Sequence, residues 1–458
     1  MYGIPITTLL MLIPILGMLF IALTEKKNII GIKSVALWIT AFALLFSLII
    51  AIAFDYSQKI YIEEATIFKN APVKYKFGID TLSAIFVPII CMICFTCIMW
   101  IAKNKANKLI CINILFFETL AIGAFYAWDL FLLYACIEAT IIPMYYLMSI
   151  QKDKSIDAIS HFFMYTIISA VFILLAFILI YLETNTTNIK EIQEIGIRNE
   201  YAFWLLIIGI GIKLPVFPFY SWLPKAHVKS HTICSVLLAS VVLKFGSLLI
   251  VRFIQPLFFG ILKENINIVS LITLLSIIVS TIQMVRQKDI KSVFAYFSII
   301  HLNMAIFILL CDANGFIYSI VSHSFLMIFL FFTSHIIERT YKTRDIKILA
   351  ETSRLQNTIK IMTFSAFYFL ISAPISSGFI TEILTFTSVA KFSHILVFVI
   401  GFVELISMTF AFNLYTKCFP FWKKSDVTNS NVDIYKVIAL CFIATAMISL
   451  GLFPYVIL

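Results

Sequence analysis

The chain has 458 residues, of which 62% are apolar and only 13% are charged. Soluble domains carry roughly 25% charged residues, so this composition excludes a soluble globular protein. The apolar stretches are continuous rather than alternating with polar residues, which excludes a transmembrane β-barrel. The class that remains is an all-α polytopic membrane protein, in which each helix needs about 20 apolar residues to cross the bilayer.

Apolar windows bounded by charges predict about fourteen transmembrane helices. In chain order they cover residues 4–23, 33–54, 82–102, 107–126, 128–150, 159–182, 202–224, 232–253, 266–285, 291–311, 314–337, 359–390, 394–416 and 436–457. No polar stretch between them is long enough to form a soluble domain.

Lys and Arg are distributed unevenly over the connections between these helices. The odd-numbered connections hold 23 of them and the even-numbered connections hold 9. Loops on the inner side of a membrane carry the excess of positive charge, so we expect the odd connections inside and both termini outside. The net charge of +10 is therefore a sign of topology, and no nucleic-acid partner is expected.

Ionisable residues also lie within the apolar stretches. An intramembrane Lys costs about 3 kcal/mol to insert, so such residues face a protein interior or a water-filled cavity and often mark ion or proton pathways. Six predicted helices each bring one such group to mid-depth, and we expect these groups to relay protons: Glu138, Lys213, Lys244, His301, His323 and Glu382. The alternative is that the charges only lock helices together. Glu118 and Glu404 are also intramembrane, with roles left open.

Two predicted helices contain a built-in break beside an intramembrane charge. Lys213 is followed by Leu-Pro-Val-Phe-Pro, and the sequence Ser-Ala-Pro-Ile-Ser-Ser-Gly at residues 372–378 precedes Glu382. The breaks lie five helices apart, as expected if helices 4–8 and 9–13 are repeats of inverted topology, an arrangement that many transporters use. The alternative for each break is a simple proline kink.

These repeats predict a division of the chain into four segments. They are an N-terminal three-helix segment (1–106), a first five-helix repeat (107–253), a second, inverted repeat (254–416) and a C-terminal helix (417–458).

Three patterns suggest metal or haem chemistry, and each has a simpler interpretation. The C-x2-C-x2-C run that begins at Cys91 has iron–sulfur spacing but lies in an apolar helix without a fourth Cys nearby, which favours buried thiols. His227 and His231 are spaced like metal ligands, yet no carboxylate or Cys completes a site. The two relay histidines are single residues on adjacent helices, whereas bis-histidyl haem sites need pairs. We therefore expect no metal and no cofactor in this chain.

Several of these residues stand in sequence blocks that resemble a known family. The blocks are Asp129 to Pro143, Lys213-Leu-Pro-Val-Phe-Pro218, Trp222-Leu-Pro-Lys-Ala-His227, Ser235 to Lys244, Asp289-Ile-Lys291 with Tyr296 and His301, and Arg344-Asp345. They resemble the antiporter-like subunits in the membrane arm of NADH–ubiquinone oxidoreductase (respiratory complex I), and among these the chain 4 type. Sibling chains 2 and 5 typically have Lys where Glu382 stands, which favours chain 4.

The resemblance implies fourteen helices with two inverted five-helix repeats, and a role for each relay residue. These roles are a Glu138–Lys213 pair in the first half-channel, Lys244 as the central relay, His301 and His323 as the link, and Glu382 as the exit-side carboxylate. The chain departs from the family at Ser230-His231, where Ala-Pro is usual, and Glu404 has no recognised counterpart.

The resemblance also implies an activity: proton translocation as a subunit of the NADH:ubiquinone reductase, driven by quinone reduction elsewhere in the complex. NADH, FMN, iron–sulfur clusters and ubiquinone would then be bound by other subunits, and this chain would have no redox active site. The implied partners are chain 2 and chain 5 type neighbours, accessory subunits and membrane lipids, with cardiolipin as a candidate.

The expected location is the mitochondrial inner membrane, with both termini in the intermembrane space and the Lys/Arg-rich loops in the matrix. The many Phe and few Gly residues (45 and 14) suit an AT-rich organellar gene. Two other functions stay open: a subunit of a multi-subunit cation/proton antiporter, and a membrane scaffold whose charges are only structural.

Overall fold

The protein is described by a computed structural model that covers residues 5–56, 60–65, 75–101, 107–150, 156–352, 354–420, 422–425 and 433–457. Helices dominate these residues, which confirms the predicted all-α class. Within them, 12 helices are long and apolar enough to cross a membrane. Seven of the loop lysines counted above lie outside the described residues: Lys59, Lys69, Lys74, Lys103, Lys105, Lys152 and Lys154.

The described residues form twenty-two α-helices, numbered in chain order. The first part of the chain forms α1 (Ile6–Leu23), α2 (Ile29–Ala53), α3 (Thr81–Trp100), α4 (Lys108–Tyr126), α5 (Leu130–Ala139), α6 (Ile141–Ser149), α7 (Ile156–Thr184), α8 (Ile189–Ile195) and α9 (Glu200–Lys213). Next come α10 (Trp222–Lys229), α11 (Thr232–Leu237), α12 (Lys244–Leu249), α13 (Gln255–Leu257), α14 (Phe259–Glu264), α15 (Ile266–Val285) and α16 (Ile290–Leu309). The last are α17 (Ala313–Tyr341), α18 (Ile346–Glu351), α19 (Asn357–Leu370), α20 (Ser377–Ala390), α21 (His394–Cys418) and α22 (Ile434–Leu452). Two of the 12 membrane-length helices consist of consecutive numbered helices, α5 with α6 and α11 to α13.

Short strands occur in two places. An antiparallel pair, β1 (Ile60–Ala65) and β2 (Tyr75–Asp80), lies in the connection before α3, with Ile60 opposite Asp80. A two-residue parallel pair joins β3 (Arg354–Leu355) to β4 (Lys424–Ser425). The sequence pattern predicted a polar connection at the first pair and did not indicate strands there.

The helices long enough to span a membrane coincide with twelve of the predicted spans. The two predicted spans outside this set are 202–224 and 359–390, the two in which a break was expected. Helix α9 ends at Lys213, and α19 and α20 are separated between Leu370 and Ser377. The breaks are therefore confirmed, whereas the count of fourteen and the inverted repeats stay predictions.

The chain divides into two compact units. Unit 1 comprises Met1–Lys213 and Val241–Asn265, and unit 2 comprises Leu214–Ser240 and Ile266–Leu458. The four segments predicted above follow helix order, whereas these units follow spatial contacts, so the four-segment division stays a prediction.

Several lysines that the sequence assigns to loops bind backbone carbonyls at helix ends. In unit 1, the Nζ of Lys33 donates to Met99 O at 3.3 Å and to Ile101 O. The Nζ of Lys108 donates to Ala22 O at 2.6 Å and to Thr24 O at 2.9 Å. The last carbonyls of a helix have no intrahelical partner and carry partial negative charge, so a cation there supplies hydrogen bonds and favourable electrostatics.

Unit 2 uses lysines in the same way. The Nζ of Lys423 donates to Leu349 O and Ala350 O at the end of α18, at 3.4 and 3.1 Å. The Nζ of Lys291 donates to Ser230 O at 2.9 Å. Lys291 is 1% exposed, although the sequence counts it as a loop charge.

Arg252 is the largest fully buried side chain of unit 1, which corrects its assignment to a connection. The sequence ends that helix near residue 253, whereas the apolar helix continues to Leu257. The Nη2 of Arg252 lies 3.3 Å from Asp80 Oδ2, and the guanidinium donates to the carbonyls of Phe125 and Ala127. It also stacks 4.8 Å from the centre of the Trp128 ring. A guanidinium with planar donors can satisfy all these partners at once.

We predict that Arg252→Met lowers the free energy of unfolding by about 3–5 kcal/mol, because it leaves the Asp80 carboxylate without a cation and two buried carbonyls without a donor. The matched control is Arg198→Met, since the Arg198–Glu264 pair is 80% and 56% exposed; its expected cost is about 0–1 kcal/mol. Thermal unfolding of the two purified variants measures the difference, and equal midpoints would contradict a structural role for Arg252.

Candidate functional site

A buried ion pair in unit 1 joins two of the predicted relay residues. The Nζ of Lys213 lies 2.9 Å from Glu138 Oε1. The side chains are 6% and 15% exposed, so the pair is largely shielded from solvent. At this distance the ammonium donates a hydrogen bond to the carboxyl group. Glu138 Oε2 is buried and has no hydrogen-bond partner within the described residues, which leaves one carboxyl oxygen able to accept a proton or a bond.

Local backbone structure positions both partners. Asp129 caps α5 by accepting hydrogen bonds from the backbone N–H groups of Phe131 and Leu132. Glu138 stands near the end of α5, where the chain turns at Thr140 before α6. Lys213 is the last residue of α9, beside the partial negative charge of the helix C-terminus, which favours a cation there.

Lys244 lies in the same unit and is 1% exposed. It begins α12, which packs against α9. Turns of π-helix at Leu238–Val242 and Ile250–Ile254 precede and follow α12. Such π turns are rare and often occur at functional sites, because they rotate the side chains that follow them. Glu138, Lys213 and Lys244 thus belong to one compact unit.

Unit 2 contains the second helix break, between α19 and α20. Ser372 and Ile375 adopt left-handed backbone conformations, with φ of 49° and 74°. A β-branched residue rarely adopts such a φ, so this backbone is held by its surroundings. Ser376 caps α20 by accepting from Phe379 N, at 3.3 Å. A Cβ on Gly451 of α22 would stand 2.0 Å from the carbonyl oxygen of Ile375, so α22 packs directly against the break.

The break faces a small cavity that contains two of the predicted relay residues, His301 and Glu382. Glu404, whose role the sequence leaves open, also lines it. The hydroxyl side chains of the lining are Ser372, Thr381, Thr385 and Ser407. The cavity volume is about 20 Å³, and a site of roughly 10–15 Å³ by this measure holds one water molecule.

His323 binds a neighbouring helix of the same unit. Its Nε2 lies 3.0 Å from the Oγ of Ser298 in α16. Ser298 and His301 are three residues apart and therefore share one face of α16. The preceding residue, Ser322, donates to Ser377 at the start of α20 at 2.8 Å. The structure thus places His301, His323 and Glu382 in unit 2, on packed helices around the break.

Glu118 is the remaining intramembrane carboxyl of unit 1. It is fully buried, and neither of its carboxyl oxygens has a hydrogen-bond partner within the described residues. Cys94 and Cys97 of α3 are also buried thiols. The described part of the chain contains no group of three or more His, Cys, Asp or Glu residues that could hold a metal ion.

The sequence alone did not find Ser298 as the partner of His323, Arg252 as a buried charge, or the closeness of Glu404 to Glu382. Arg252 could have been recognised as a buried charge, because it lies inside a predicted span. Glu404 was visible as an intramembrane carboxyl, but only the fold brings it to the same cavity as Glu382.

Comparison with known proteins bears on what these residues do. Residues 127–407 match a family described as NADH:quinone oxidoreductase/Mrp antiporter, TM. The match covers more than half of the chain and includes every predicted relay residue. The chain belongs to this family. The resemblance in the sequence blocks is therefore confirmed.

Individual relatives in this family extend over almost the whole chain. NADH-quinone oxidoreductase subunit M of Rickettsia prowazekii (strain Madrid E) is 29% identical, over 99% of this chain and 96% of the relative. NADH-ubiquinone oxidoreductase chain 4 of Chondrus crispus is 31% identical, over 82% of this chain and 79% of the relative. The fold resembles a chain of respiratory complex I from Thermus thermophilus with bound NADH, with a TM-score of 0.87, 20% identity and coverage of 98% and 96%.

We predict that Gly451→Ala destabilises unit 2 by about 1–3 kcal/mol, because the added methyl group meets a backbone oxygen that can move only with the break. Gly260→Ala is the matched control, since a Cβ there meets nothing within 4 Å. Thermal unfolding of both variants tests this. Equal stability of Gly451→Ala and the wild type would mean that α22 does not hold the break in place.

Proposed function

We propose that this chain is a proton-translocating membrane subunit of NADH:ubiquinone oxidoreductase, respiratory complex I. Quinone reduction elsewhere in the complex supplies the energy. The chain takes part in the reductase as a subunit, and its own residues move protons. The membership of the family and the names of the relatives support this proposal.

The observation that carries the proposal is the buried Glu138–Lys213 pair at the end of a broken helix. A buried pair contributes little to stability by itself, since apolar residues of the same volume are often as stabilising. Separating or joining two such charges changes the proton affinity of both. A pair at a helix break can therefore load and release a proton when a small movement alters the distance between its members.

We assign the relay to six residues, three in each unit. Unit 1 contains Glu138, Lys213 and Lys244, and unit 2 contains His301, His323 and Glu382. Each type of group can carry a proton, because carboxyls and amines accept and release one, and imidazole accepts and donates protons on its two nitrogens. The small cavity at His301 and Glu382 adds room for a water molecule that can carry a proton between them.

The assembly and location follow from the same proposal. NADH, FMN, iron–sulfur clusters and ubiquinone bind to other subunits, and chain 2 and chain 5 type subunits, accessory subunits and lipids such as cardiolipin surround this chain. We place it in the mitochondrial inner membrane, with both termini in the intermembrane space and the odd-numbered, Lys/Arg-rich connections in the matrix.

We predict that neutralising both members of the ion pair distinguishes a role in proton transfer from a purely structural role. Glu138→Gln or Lys213→Met alone leaves one buried charge unpaired, which costs about 3–5 kcal/mol and impairs assembly. The double variant Glu138→Gln/Lys213→Met leaves no unpaired charge, so assembly recovers. If the pair relays protons, pumping by the double variant stays at least about tenfold below the wild type, as for loss of a general acid–base group.

NADH-driven acidification in proteoliposomes of the assembled enzyme, measured together with NADH oxidation, gives the proton yield per electron pair. Glu194→Gln, which changes a carboxyl outside the predicted relay, is the control and should behave as wild type. Recovery of both assembly and pumping in the double variant would favour a purely structural pair. Pumping that follows an external Na⁺ gradient without NADH would favour the cation/proton antiporter.

The proposed orientation can be tested separately, because exposed residues lie in connections that are predicted on opposite sides of the membrane. Lys288 lies in the ninth connection, predicted inside, and Glu264 in the eighth, predicted outside; both are exposed. In vesicles with the intermembrane face outward, we expect a membrane-impermeant maleimide to label Glu264→Cys and to leave Lys288→Cys unlabelled. The unsubstituted chain measures labelling of native cysteines, and the reverse pattern would invert the topology.

A further inference from the structure

The cavity beside the second helix break contains two carboxyl groups from different helices. Glu382 comes from α20 and Glu404 from α21, and these helices pack against each other. Glu404 is 6% exposed and lines the cavity. Within the described residues Glu404 makes no hydrogen bond and no ion pair, so no partner competes with the cavity that its side chain lines.

The position of Glu404 on α21 is unusual for that helix. The α21 residues Ile395, Phe398, Phe402 and Leu405 are between 61% and 79% exposed, as expected for a helix that faces lipid. A carboxyl on such a helix costs several kcal/mol unless it faces a protein interior or water. Glu404 turns inward, on the side where Glu382 and Ser407 stand, so the helix buries one acidic side chain against another.

No cationic side chain lines this cavity within the described residues; its titratable members are His301, Glu382 and Glu404. Two carboxylates in one small, poorly solvated space cannot both carry a charge at low cost, so such pairs retain one proton between them. The cavity has room for about one water molecule, which suits a proton and excludes an organic substrate. The hydroxyl of Ser372, which also lines the cavity, is of a type that can donate to a carboxylate.

We propose that Glu404 is a further proton-relay residue, which shares one proton with Glu382 in this cavity. This inference rests on the proposed proton-translocating function and adds a residue to it. In the transfer, the O–H bond of one carboxylic acid breaks as an O–H bond forms on the other carboxylate, directly or through one water. The pair keeps a total charge of −1 during this transfer. When the shared proton passes on to His301, the O–H bond breaks as an N–H bond forms on the neutral imidazole, which leaves the pair at −2 beside a singly charged imidazolium. Helix α21 therefore supplies a member of the relay, which the six sequence-predicted residues omit.

The experiment compares Glu404→Gln, Glu382→Gln and the double variant in the assembled enzyme in proteoliposomes. We expect Glu404→Gln to assemble, to pump about threefold to tenfold more slowly, and to lose pumping at a pH about one unit lower than wild type, because Glu382 no longer has a neighbouring negative charge to help it keep a proton. Because the carboxyls act as a unit, the double variant should lose no more than Glu382→Gln alone.

Controls separate this inference from the function on which it rests. Glu351→Gln changes an exposed carboxyl of unit 2 and should leave pumping unchanged. If Glu138→Gln/Lys213→Met abolishes pumping but Glu404→Gln keeps the wild-type rate and pH profile, the shared-proton site is wrong and the proposed function stands. Additive losses in the double variant, or wild-type transport that depends on Na⁺ rather than on pH, would also overturn it.

A second variant keeps the test decisive if Glu404→Gln fails to assemble. Glu404→Asp keeps the charge but withdraws the carboxyl by one methylene group. We expect it to assemble and to pump at an intermediate rate, with a pH profile displaced in the same direction as that of the Gln variant. A rate and pH profile equal to those of the wild type would show that the position of this carboxyl is irrelevant to proton transfer.

Discussion

Breaking a helix inside a membrane requires new partners for the backbone groups that the helix leaves free, because hydrocarbon offers none. The chain meets this demand at both breaks within the described residues. After α9, the N–H of Phe217 donates to Ser276 Oγ at 2.7 Å. After α19, the Tyr368 hydroxyl donates to Pro374 O. These partners allow irregular backbone at membrane depth, and each irregular segment brings ionisable side chains with it.

The two units use different chemistry beside their breaks. Unit 1 pairs a lysine with a carboxyl group at 2.9 Å. Unit 2 surrounds Glu382 with a second carboxyl, an imidazole and hydroxyls, and that set favours a state with one retained proton. Under the proposed function, a charge change in the first unit would separate or join opposite charges, whereas one in the second would move a proton between two carboxyl groups.

The sequence predicted the features that depend on local patterns. Prolines and glycines located both breaks, apolar windows located the spans, and the cost of an intramembrane charge singled out Lys213 and Lys244. Features that depend on contacts between residues far apart in the chain could not be predicted from the sequence. The partner of His323 is Ser298 on another helix, and the strand pair before α3 forms from two polar stretches. Periodicity reports which face of a helix is apolar, but it does not report which helix covers that face.

The lysines that bind helix-end carbonyls change the charge that the folded protein presents to the surrounding lipid. The formal charge of +10 counts every Lys and Arg equally. Lys33, Lys291 and Arg252 are each no more than 5% exposed, and each binds backbone carbonyls inside the protein. Before the chain folds, these cations are accessible to anionic lipid headgroups. In the folded protein they are buried. Folding thus hides part of the positive charge from which the sequence predicts the orientation, and the folded surface attracts acidic lipids less strongly than the composition suggests.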